Sequence, residues 1–151
     1  MPTFEDFQGD ILKSRAGIWC CAVDDVGTLK GLCWKFCQCF EGFEDWYLEL
    51  CKNDSFHTTS LHTKSFKIGD RLVMVALVHC KDWEGNCDAK SLKLGLFELK
   101  EILLYLDENA KIAIPPLGHT TKHQSLSKQS ILGLIKEVFW NTSCTFELYN
   151  F

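Results

Sequence analysis

The sequence predicts an α/β sandwich, and two observations carry that prediction. The stretches Gly17 to Val23 and Leu72 to Val78 are apolar without alternation, as strands buried on both faces are. Around them, apolar residues recur every three or four positions, the spacing of one helix face. Strands separated by helices pack as a sheet covered by helices.

Each element can be justified in chain order. Gly17 to Val23 reads as a core strand. Leu29, Leu32, Cys33, Phe36 and Phe40 fall at helical spacing. Phe43, Trp46, Tyr47, Leu50 and Cys51 form a second, shorter helical pattern. Phe66 to Ile68, a Gly69-Asp70 turn and Leu72 to Val78 predict a hairpin whose second arm is a core strand. Leu92, Leu96, Leu99, Leu103 and Leu106 make the clearest amphipathic helix. Ile112 to Ile114 is a short buried strand stopped by Pro115-Pro116. Ser127 is a candidate cap for a helix carrying Ile131, Leu134, Ile135, Val138 and Phe139. Thr145 to Tyr149 alternates and reads as a last strand.

Length and composition bound the rest. The chain has 151 residues, of which 46% are apolar and 24% charged, so one folded domain over residues 1–151 is expected. The longest apolar run, seven residues, is far below the ~20 that a membrane span needs. The first residues lack a basic region followed by an apolar one. A cytoplasmic or nuclear chain with no membrane partner is therefore expected. Lys and Arg are scattered and the net charge is −4, which argues against general nucleic-acid binding.

Nine cysteines, in a chain without a secretory signal, read as reduced thiols used as small buried hydrophobes. Zinc is the alternative, through Cys33, Cys37 and Cys39 or His119 and His123. No C-x2-C knuckle is present, so neither a metal nor a cofactor is expected. Trp46 and Trp140, within helical patterns, are expected in the core, and Trp83 outside it.

Ligands of such sheets sit beyond the carboxyl ends of the strands, where loops enter helices. Three loops qualify: residues 24–30, 79–89 and 118–124. Two short motifs in the chain resemble those of a known family. Gln8-Gly9-Asp10-Ile11-Leu12 resembles the opening motif of macrodomains, and Ile112-Ala113-Ile114-Pro115-Pro116-Leu117-Gly118 resembles the macrodomain strand that leads into a phosphate-binding loop. The element order matches over nearly the whole chain. Length and layout resemble the small single-domain macrodomains that remove terminal ADP-ribose from proteins.

That resemblance implies a three-layer α/β/α sandwich with a central mixed sheet. It also implies a pocket for ADP-ribose or a related nucleotide, free or carried on an ADP-ribosylated protein. Asp10 would accept a hydrogen bond from the adenine amino group, and the Ile11 amide would meet the ring. Gly31 would belong to the first phosphate loop, and Leu117, Gly118, Thr120, Thr121 and Lys122 to the second.

The chain departs from the family pattern where catalysis would sit. The related hydrolases carry a lysine just after the central strand and an aspartate in the second loop. A gap-free reading puts Cys80 at the lysine position, with Lys81 one place off. The second loop has no acidic residue. Three readings follow. In the first, the chain is a module that binds ADP-ribose with weak or lost catalysis and a reader, sequestering or scaffold role. In the second, it is an (ADP-ribosyl)hydrolase rewired around Asp24 or Asp25, at the carboxyl end of a core strand. In the third, it is a protein-interaction domain with no small ligand, using exposed aromatic surface.

Overall fold

The computed structural model describes residues 1–82, 84–119 and 126–151. The order of elements is β1 (Thr3–Phe7), β2 (Ile18–Val23), α1 (Gly31–Cys39), α2 (Phe43–Lys52), β3 (Leu61–Ile68), β4 (Arg71–His79), α3 (Ala89–Leu106), β5 (Lys111–Ile114), α4 (Lys128–Phe139) and β6 (Thr145–Tyr149). The six strands form one mixed sheet in the order β1-β6-β5-β2-β4-β3. Five are mutually parallel, and the edge strand β3 pairs antiparallel with β4.

Alternation along the central strands explains the three layers. Ile18 and Cys20 of β2, with Ala76 and Val78 of β4, face Leu92, Leu96 and Leu99 of α3 and Ile131 and Ile135 of α4. Trp19, Cys21 and Val23, with Val73, Val75 and Leu77, face Phe36 of α1 and Phe43 and Tyr47 of α2. A strand apolar on both faces must be covered on both. The result is the three-layer α/β/α sandwich that the sequence led us to expect. The α1–α2 layer is unusually aromatic, with Trp19, Phe36, Phe40, Phe43 and Phe66 in successive tilted and edge-on contacts.

The structure corrects three expectations. The first hairpin arm begins at Leu61, not Phe66, because His62, Thr63, Lys64 and Ser65 are polar and hide the strand from a search for apolar runs. The first helix begins at Gly31, so Leu29 belongs to the loop before it. Trp140 is 63% exposed at the end of α4, not in the core. It follows Phe139 and falls off the buried face of the helix. Trp46 is partly buried against Phe43 and Phe66, and Trp83 lies outside the described residues. Among the described residues, no helix is long and apolar enough to cross a membrane.

Two helical glycines give opposite predictions. A Cβ on Gly95 of α3 would lie 2.5 Å from Cγ1 of the buried Val78. A Cβ on Gly133 of α4 would meet nothing within 4 Å. Helix propensity favours alanine by about 1 kcal/mol at both, but overpacking costs about 1–3 kcal/mol. Urea unfolding should therefore show Gly95→Ala destabilised by about 1 kcal/mol and Gly133→Ala stabilised by roughly 0.5–1 kcal/mol.

Candidate functional site

Because β2, β4 and β5 are parallel, their carboxyl ends lie on one side of the sheet, where the loops after them face each other across a cleft of about 420 Å³. One wall is the loop from β2 into α1, with Asp24, Thr28, Lys30 and Gly31. The opposite wall is Pro115 to His119. Lys81, Asp82, Glu84 and Gly85, after β4, complete it.

The first wall is built around Asp24, which is 4% exposed. Its Oδ1 accepts hydrogen bonds from the amides of Val26 and Thr28, both at 3.2 Å, and from the Tyr47 hydroxyl at 2.8 Å. Burial alone would push the carboxyl pKa up. The hydrogen bonds from Thr28, Tyr47 and Val26 outweigh it and hold Asp24 below the ordinary carboxylate range. Burial first, then the bond to Asp24, pushes the Tyr47 hydroxyl far up. Asp24 is thus an ionised anchor for the loop.

That anchored loop delivers the chain to Gly31, at φ +57° in the first position of α1. A Cβ there would meet nothing within 4 Å, so the glycine answers to backbone conformation and leaves the cleft open. Lys30 at the N-cap makes no side-chain capping bond. Asp88 caps α3 and Ser127 caps α4, whereas α2, headed by Gly42, also lacks a side-chain cap. The first amides of α1, in Gly31, Leu32 and Cys33, border the cleft without a side-chain acceptor of that kind. Such an end attracts anions.

The second wall is a turn closed by the His119 amide donating to the Pro116 carbonyl at 3.0 Å. Gly118 is its third residue, at φ +72°, as a type II turn requires. Gly118 must also be small. A Cβ there would lie 2.5 Å from the Cys87 sulfur. The His119 Nδ1 donates to the Leu126 carbonyl at 2.8 Å, tying the two described ends of this loop together.

The sequence-predicted residues divide into groups. Asp24, Gly31, Leu117 and Gly118 line the cleft together. Asp10 and Ile11 do not line it. Asp10 is exposed and turns its Oδ1 to the Leu12 amide, capping the short 3-10 turn Ile11–Lys13, and Ile11 is buried in the α1–α2 layer. Asp25 opens instead onto a neighbouring shallow cleft, with His57 Nε2 at 3.7 Å and His79 Nε2 at 4.0 Å. Thr120, Thr121 and Lys122 lie outside the described residues. Among the described residues, no three His, Cys, Asp or Glu side chains gather as metal ligands.

Lys81 is the residue that sequence reading left one place off. It lines the main cleft, whereas Cys80 is buried. Parity past the end of β4 decides this, since successive side chains take opposite faces. The signal was present in the adjacency of Cys80 and Lys81, but their order about the strand end was not.

No protein-family model and no curated protein matches the chain. Solved structures do. The chain is similar to the macrodomain of Mycobacterium tuberculosis DarG, at TM-score 0.84 and 20% identity, over 99% of this chain and 97% of that one. It is similar to the macrodomain of Thermus aquaticus DarG, at TM-score 0.85 and 18% identity, over 99% of each chain. It also matches Thermosipho africanus DarTG in complex with ADP-ribose, at TM-score 0.81 and 17% identity, over 97% of this chain and 41% of the other. The chain has the macrodomain fold.

The Asp24 anchor makes a prediction. Tyr47→Phe removes a hydrogen bond to a buried anion and should lower the unfolding free energy by about 2 kcal/mol at neutral pH. The folded pKa of Asp24 lies below that of an ordinary, solvated aspartate. The contribution of the ionised carboxylate is therefore complete above that value and lost as pH falls through the lowered one. Urea titrations across this range should show the deficit of Tyr47→Phe shrinking in acid.

Proposed function

We propose that the cleft binds ADP-ribose or a closely related nucleotide, and that the domain holds this ligand with weak or lost turnover, in a reader, sequestering or scaffold role. The observation that carries the reading is the pair of glycine-led walls, Gly31 at the head of α1 and Gly118 in the facing turn. Backbone at such positions can approach a pyrophosphate closely. Lys30 and Lys81 add two cations, and about 420 Å³ suits a ligand of nucleotide size. A protein of the same fold has been solved with ADP-ribose, which supports the choice of nucleotide.

Weak turnover follows from the carboxylates. No acidic residue lies between Glu108 and Glu137, so the second loop has no aspartate. Asp24 is committed to its own loop, and Asp82 is held by the amides of Glu84 and Asn86, both at 2.9 Å. A base needs a lone pair directed at its proton.

One observation favours the hydrolase as a second reading. Lys81 brings a primary amine into the cleft beyond β4, where it could attack the anomeric carbon of a bound ribose. In that reading Lys81, rather than Asp24 or Asp25, carries the chemistry.

Calorimetric titration with ADP-ribose tests the binding reading. A micromolar Kd, about −8 kcal/mol, is expected. Gly31→Glu should place a carboxylate at the head of α1 and weaken binding at least tenfold, about 1.4 kcal/mol, with an unchanged circular dichroism spectrum. No heat at millimolar ligand would overturn the reading. Release of ADP-ribose from a modified protein, abolished by Lys81→Ala, would replace it with the hydrolase.

A further inference from the structure

We propose that Cys80 and Cys87 form a modification site, a dithiol that hydrogen peroxide converts to a disulfide and that thereby reshapes one wall of the cleft. The effect on ligand binding rests on the function proposed above; the thiol chemistry does not.

The two cysteines bracket the segment between β4 and α3. Lys81 and Cys87 form an isolated antiparallel bridge, the Asp88 amide donates to the Cys80 carbonyl at 3.3 Å, and the Asp82 amide donates to the Asn86 carbonyl at 3.0 Å. These contacts fold the segment back on itself and bring its two ends together. A Cβ on Gly118 would lie 2.5 Å from the Cys87 sulfur and 3.5 Å from the Cys80 sulfur. Both sulfurs therefore flank one point of backbone, and their separation cannot exceed the sum of those distances. The Cys87 sulfur also approaches the Leu117 carbonyl at 3.9 Å. All nine cysteines are free thiols.

Access and reactivity favour this pair. Both residues line the shallow cleft beside Asp25 and His79, which gives a small oxidant a route to otherwise buried sulfurs. The neighbouring Cys80 thiol holds Cys87 below the ordinary thiol range, against burial, and the same proximity pushes Cys80 well above it. The ammonium of Lys81 pulls both down. Cys87 is thus the more readily ionised of the two, and the thiolate is the nucleophile. Elsewhere in the chain the balance differs. Burial pushes Cys20 up to about 12, and the bond to Cys21, followed by burial, pushes Cys33 far up.

The chemistry takes two steps. The Cys87 thiolate attacks one oxygen of hydrogen peroxide, the O–O bond breaks, and the departing hydroxide takes up a proton to leave as water. Cys87 is left as a sulfenic acid. The Cys80 sulfur then attacks the Cys87 sulfur and displaces hydroxide, which takes the Cys80 proton and leaves as a second water. Two thiols have lost two electrons to one peroxide. A disulfide requires the sulfurs about 2.0 Å apart, so the Cys80 and Cys87 sulfurs must close on each other beside Gly118. Lys81, Asp82, Glu84 and Gly85, which lie between the two cysteines, form part of the main cleft wall. They move with it.

The test uses the full chain. Reduced protein is treated with equimolar hydrogen peroxide, remaining thiols are alkylated, and the product is digested with trypsin. Cleavage after Lys81 places the two cysteines on separate peptides, residues 72–81 and 82–90, which only a disulfide joins. The joined pair is expected, two hydrogens lighter than the sum of its parts. Cys80→Ser should stop at a sulfenic acid on Cys87 that dimedone traps, and Cys80→Ala serves if serine is not tolerated at that buried position. Cys87→Ser should leave Cys80 alkylatable. Recovery of Cys80 and Cys87 both alkylated, or of a Cys21–Cys33 disulfide in their place, would overturn the site. ADP-ribose titrated into fully bridged protein should bind at least threefold more weakly than into reduced protein. Equal affinity would overturn the coupling to the cleft. Absence of binding to the reduced protein would overturn the ligand reading, and the digest would still decide the disulfide.

Discussion

Cys20 and Cys21 are neighbours on β2, point to opposite faces of the sheet, and are both buried. That double burial is the constraint on which the rest depends. A strand with no solvent face needs a helical layer on each side. It also needs parallel neighbours that are buried in the same way, and β4 and β5 provide them. Parallel strands put their carboxyl ends together, so the loops that leave them converge. The cleft is a consequence of how the core is covered.

Within that frame, Asp24 and Tyr47 shape the first wall. A buried carboxylate is costly unless hydrogen bonds replace its water. Two amides of its own loop and one hydroxyl from α2 do so. The same contacts that satisfy the charge hold the loop that leads to Gly31, and Lys30 at the N-cap, a side chain without an acceptor, leaves the head of α1 uncapped. A loop that spends its acid on folding presents backbone amides, rather than a base, to the cleft.

The second wall depends on a similar economy of space. Gly118 serves the turn through its positive φ and serves packing through its missing Cβ, because the Cys87 sulfur lies against it. The segment after β4 therefore meets the segment after β5 where the Cys87 sulfur packs against Gly118 and the Leu117 carbonyl. Movement of that sulfur is felt on both sides of the cleft. Lys81, which borders both the main cleft and its shallow neighbour, shares the constraint.

The amino-acid sequence alone marks the elements that carry their own hydrophobic signature. Unbroken apolar runs marked β2 and β4, and leucines at steps of four and three marked α3. Two short motifs, around Asp10 and Leu117, pointed to the fold. It did not reveal the full extent of β3, since a strand at an edge keeps polar side chains and is held by ladder bonds to β4, which leave no apolar signature. Nor could it say which of Cys80 and Lys81 would enter the cleft, because parity is set by where the strand ends. It offered Asp24 as a base, and only the folded chain brings Tyr47, 23 residues away, to occupy it. Asp10 matched the motif, yet its carboxylate caps its own turn. Local spacing is written along the chain. The partners that decide what a carboxylate or a thiol can do are brought by the sheet and the helices packed on it.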